Sequence, residues 1–140
     1  MSPRSDEFMA QARDRAAMAR EVLNNGHLEG AVSAGYYAML YAARAALSER
    51  DEYARSHGGT WHLFHQQYVV TGVFDQQLHS LAQSAQDTRE KGDYEAITPT
   101  REEAERIVDG AAQYIGAVEH MLGAQDPGAA QTVKRGSTNE

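Results

Sequence analysis

Between Leu28 and Arg50 the chain is apolar on nearly every side. Ala31, Val32, Ala34, Tyr37, Ala38, Leu40, Tyr41, Ala42, Ala45, Ala46 and Leu47 fall in this run, and few charges interrupt it. A helix with one apolar stripe can rest on a single neighbour. One that is apolar all round has to be covered from several directions, by other helices or by a second subunit. The segment therefore predicts a central helix, and its alanines let the covering backbones come close.

The rest of the sequence supplies that cover. A first helix is predicted over residues 4–24, with Phe8, Ala12, Ala16, Ala19, Val22 and Leu23 at helical spacing and a stop at Asn24-Asn25-Gly26. Residues 51–60 read as a connection ending in His57-Gly58-Gly59-Thr60. A third helix then carries Trp61, Phe64, Tyr68 and Val69 to a stop at Thr71-Gly72. A fourth starts at Asp75 as its N-cap, runs through Leu78, Leu81, Ala82 and Ala85, and ends near Lys91. The fifth opens at Thr98-Pro99-Thr100, where Thr100 and Glu103 form a capping box. Its stripe is Ala104, Ile107, Val108, Ala111, Ile115, Val118 and Leu122. The fold class is all-α, an antiparallel up-and-down bundle of four to five helices over residues 1–123. Residues 124–140, which include Asp126-Pro127-Gly128, are expected to form a disordered tail.

Composition removes whole classes of function. The 140 residues include no cysteine, which excludes disulfides, thiolate metal sites and a cysteine nucleophile. Early charges such as Asp6, Glu7 and Arg13 interrupt any secretory core, and no apolar run approaches the roughly 18 residues of a membrane span. A soluble, cytoplasmic protein is expected. A net charge of −7 opposes indiscriminate binding to nucleic acid but leaves room for a local basic groove, and arginines far outnumber the two lysines.

The densest chemistry lies in Arg89-Glu-Lys-Gly-Asp93-Tyr94, where a cation, an acid and a phenol share six residues around a glycine. Arg89 and Asp93 either form an ion pair that closes the fourth helix or belong to a polar site. Likewise, His57 either caps the third helix or contributes to that site. Tyr36 and Tyr37, roughly 100° apart on one helix, divide between core and cleft. His57, His62 and His65 lack a carboxylate at ligand spacing, so no metal is expected.

Four features in order resemble one family. They are Tyr36-Tyr37 followed by the Ala38–Leu47 run, Ser56-His57-Gly58 before an aromatic helix, Val69-x-Thr71-Gly72-x-Phe74, and Arg89-x-x-x-Asp93-Tyr94 before a Thr-capped last helix. Over residues 8–122 the chain is similar to HEPN domains, in particular the small stand-alone bacterial and archaeal proteins once catalogued as an uncharacterised family. The resemblance implies a helical bundle that forms a homodimer and often works with a nucleotidyltransferase as its antitoxin. It also implies toxin-like or RNA-directed activity, including metal-independent RNase chemistry without a cofactor. In such RNases an Arg is followed a few residues on by a His, and a nearby Tyr receives nucleotide from the partner.

Here Arg89 is followed by Asp93 and Tyr94 with no such His, whereas Arg55 and His62 match the spacing before and within the third helix. The candidate catalytic residues are therefore His57, Arg89 and Asp93, with Arg44 and Tyr37 binding substrate and Tyr94 as the nucleotidylation site. The alternatives are a non-catalytic HEPN module that binds nucleotide or a protein partner, and a purely structural adaptor.

Overall fold

The computed structural model describes residues 1–125, and every regular element in it is helical. The last helix takes in residues 124 and 125 of the expected tail, and the rest of that tail lies outside the described residues. The elements are α1 (Pro3–Asn24), α2 (Leu28–Ser48), α3 (His57–Phe64) continued by a π turn (His65–Val69), α4 (Gln76–Glu95) and α5 (Arg101–Gln125). Helix α2 packs against each of the other four helices, as its all-round apolar surface requires.

Side-chain pairs fix the topology. Arg20 pairs with Asp109 and Arg13 with Glu119, so α1 and α5 run in opposite senses. The three-residue link between α1 and α2 turns on Gly26 at φ 83°, a left-handed angle that favours glycine. His79 lies against Tyr114, and Leu81 against Gly110, which makes α4 antiparallel to α5. The four long helices thus alternate up and down, while α3 and its π turn make the short connection between α2 and α4. At Gly35, a Cβ would lie 3.0 Å from Cγ2 of Ile107, so this glycine lets α2 and α5 approach more closely than an alanine pair allows.

The caps of α4 and α5 are the predicted ones. Asp75 accepts from the Gln77 amide, and Thr100 and Glu103 exchange hydrogen bonds at 3.1 and 3.2 Å. Two boundaries differ from expectation. Helix α3 begins at His57, because Ser56 caps it by accepting from the Gly59 amide at 2.9 Å. His57 is therefore a first-turn residue and not the cap. Helix α4 runs past Lys91 to Glu95 despite Gly92. The Arg89–Asp93 pair spans that turn, and Ala96, at φ 54°, returns its amide to the Lys91 carbonyl. Among the described residues, no helix is long and apolar enough to cross a membrane.

Candidate functional site

Consecutive residues on α2 place two phenols back to back. Tyr36 is fully buried and Tyr37 half-buried, with their rings edge to face at 5.3 Å. His57 reaches both rings from the first turn of α3, at 5.6 and 5.7 Å between centroids. Arg89 reaches the same pair from α4, with its guanidinium carbon 5.1 Å from the centre of Tyr36 and 5.5 Å from that of Tyr37. The imidazole and guanidinium that are 32 positions apart in sequence therefore share one support.

Hydrogen bonds fix how the imidazole is presented. The indole N–H of Trp61 donates to the Tyr36 oxygen at 3.3 Å, and that phenol lies 2.9 Å from Nδ1 of His57. An oxygen that already accepts from the indole is disposed to give its own proton to Nδ1, the arrangement in which Nε2 carries the proton of the neutral ring. Burial and the charges of Arg44 and then Arg89 push His57 below the usual histidine range, with Glu90 opposing them. At neutral pH the ring is uncharged and offers an N–H. Burial raises the Tyr36 phenol above its ordinary value, so it stays protonated and able to donate.

The other candidates divide clearly. Asp93 accepts from Nη1 of Arg89 at 2.6 Å and so aims that guanidinium. Arg44 donates to the Arg55 carbonyl at 3.2 Å and lies over the Tyr53 ring, close enough for its charge to reach His57. Tyr94 is 83% exposed, so it does not pack against α2; the extension of α4 carries it outward. Arg55 and His62 are exposed as well. Beside Arg89, a hollow of about 30 Å3 lined by Glu29, Ser33, Thr88 and Pro99 has room for a water or two and none for a nucleotide. Any larger ligand has to meet the cluster from the surface.

Two participants went unassigned in the sequence. The sequence leaves Tyr36 and Tyr37 divided between core and cleft, and it marks Trp61 only as a residue of the third helix. A signal for both existed, since a buried indole N–H needs an acceptor and few polar groups lie on α2.

The chain belongs to a known family of domains. The sequence model of the HEPN domain matches residues 5–121. The chain is 28% identical over 124 residues to the UPF0332 protein glr0978 of Gloeobacter violaceus, covering 87% of this chain and 98% of that one. Two proteins of Methanocaldococcus jannaschii are also similar, "Putative toxin MJ0605" at 26% identity and "Putative toxin MJ0142" at 29%. Those alignments cover 79% and 84% of this chain, and 83% and 80% of the relatives.

Proposed function

We propose that this chain is a toxin-like HEPN protein directed at RNA, with metal-independent phosphodiester cleavage as its chemistry. The observation that carries the reading is the convergence of His57 and Arg89 on the Tyr36–Tyr37 pair, with Arg44 in electrostatic reach. A phosphate meeting this cluster is neutralised by the two guanidiniums and receives the Nε2–H of His57. Its charge also offsets the part of the His57 depression owed to Arg44 and Arg89, while burial still opposes it, and so favours uptake of a proton by the ring as RNA binds. The resulting imidazolium gives its proton to the leaving 5′ oxygen as the adjacent 2′-hydroxyl, losing its own proton to water, attacks phosphorus and closes a 2′,3′-cyclic phosphate, in an environment that stabilises the developing charge. Asp93 aims Arg89, and Tyr37 offers a ring edge to a base.

The family context and the exposure of Tyr94 support the remaining parts, a homodimer and a nucleotidyltransferase partner that silences the protein by modifying that phenol. A second reading is a non-catalytic module that binds nucleotide. Favouring it, Nδ1 of His57 is occupied by Tyr36, and one arm of Arg89 by Asp93.

Incubation of the purified protein with an RNA pool, in parallel with His57→Ala and Arg89→Ala, separates the two. Cleavage by the wild type that both variants lose is the expected result. Cleavage that persists in both rejects the site. Nucleotide binding without cleavage establishes the second reading.

A further inference from the structure

From Tyr37 outward, cations and rings alternate across one face of α1, α2 and the connection that follows α2. Arg15 lies over both Tyr37 and Tyr41, at 5.9 and 5.6 Å. Tyr41 stacks on Phe8 at 6.2 Å, and Arg4 covers Phe8 and Tyr53 at 5.8 and 5.1 Å. Arg44 then connects Tyr53 back towards His57. Among the described residues neither Arg4, Arg15 nor Arg44 has a carboxylate within salt-bridge distance, whereas Arg13, Arg20, Arg89 and Arg101 each do. Arg50, Arg55 and Arg106 also lack a carboxylate partner among the described residues, but only Arg4, Arg15 and Arg44 share one face with four rings, in a chain of net charge −7. Beside Arg4 and Phe8 the surface opens into a groove of about 520 Å3, with Glu7 on its wall.

We propose that this face is a track for single-stranded RNA, leading from the groove at Arg4 and Phe8, across Tyr53 and Tyr41, to the cluster at His57. Rings take bases by stacking whatever their identity, and guanidiniums take the phosphates between them; that combination suits an unpaired strand. A duplex hides its base faces and gains only the charge. The inference rests on the RNA reading above and adds to it where the strand lies and why it must be single. Glu7 is the one carboxylate lining the groove, and it opposes the strand.

The test is fluorescence anisotropy with a labelled decanucleotide carrying 2′-O-methyl groups throughout, which binds without being cut, beside a duplex of the same length. The variants are Arg4→Ala and Tyr53→Ala, both at exposed positions, and Glu7→Gln. Each of the first two is expected to weaken binding about tenfold, Glu7→Gln to strengthen it a few fold, and the duplex to bind more weakly than the single strand. Equal binding by wild type and variants, or a duplex bound as well as the single strand, overturns the track. So does a sedimentation change from dimer to monomer in Arg4→Ala or Tyr53→Ala, which would make this face a contact between copies. Unmodified RNA in parallel isolates the catalytic reading. Variant-sensitive binding without wild-type cleavage removes the RNase and leaves the track, whereas cleavage with variant-insensitive binding does the reverse.

Discussion

His79 is fully buried among rings, stacked on Phe64 at 5.5 Å, with Trp61 edge-on at 5.9 Å and His65 at 5.6 Å. Its Nδ1 is 3.4 Å from the Tyr114 hydroxyl and its Nε2 has no partner. Burial, with a smaller push from His65, lowers its pKa from 6.5 to about 4. The folded state therefore resists protonation while the unfolded chain accepts it. Stability is complete above about pH 7 and drains as pH falls from 6.5 towards 4. The limit is about 3 kcal/mol, of which about 2 kcal/mol has gone by pH 5. That is a large part of what holds a domain of this size together.

The perturbation is His79→Gln, which keeps a polar group near Tyr114 and cannot titrate. Urea denaturation followed by circular dichroism at pH 8, 6.5 and 5 gives both profiles. His57, also lowered, contributes in the same direction to both proteins and cancels in the difference. The variant is expected to start less stable and to lose about 2 kcal/mol less than wild type between pH 8 and pH 5. Equal losses in the two proteins would refute the reasoning, whatever their absolute stabilities.

Three further outcomes follow from the site and its supports. Tyr36→Phe removes the donor to Nδ1 and strands the Trp61 indole, at a cost of about 1–2 kcal/mol; nitrogen NMR should show His57 moving from one tautomer to a mixture, and unchanged ring shifts would contradict control of the tautomer by Tyr36. Binding of the methylated oligonucleotide should take up protons at His57, visible as a calorimetric enthalpy that varies with buffer ionisation at pH 7, and absent in His57→Ala. Ala96→Gly relieves a left-handed angle of 54° and should raise stability by about 0.5–1 kcal/mol in thermal melts; a lower melting temperature would mean that the alanine side chain matters there.

Much of the bundle can be read from residue spacing. The unbroken apolar surface of α2 demands cover on all sides, and the stripe from Ala104 to Leu122 and the Thr100–Glu103 box are local patterns that need no tertiary knowledge. The boundaries that moved are those where a capping bond or an i,i+4 ion pair works against propensity. Gly58 and Gly59 argue against helix, yet Ser56 holds the Gly59 amide; Gly92 argues for an ending, yet Arg89 and Asp93 clamp the turn across it. At the site, His57, Arg89 and Asp93 are identifiable by residue chemistry. Their common support was not, because Tyr36 acts through an indole 25 positions later and a histidine 21 positions later. His79 stands three residues before Ala82 on the buried face of α4, but its ring neighbours come from α3, the π turn and α5, and spacing along α4 does not reveal them.

Tyr36 and Tyr37 stand on a rod walled by alanines at Ala34, Ala38, Ala42 and Ala43. Small, stiff neighbours leave that rod little freedom to rotate or slide, so the two phenols travel together or not at all. A rotation of that rod would consequently displace the supports of His57 and Arg89 together. An enlarged residue far along the alanine wall would disturb both halves at once, and chemistry at this spot would report on the order of the entire scaffold.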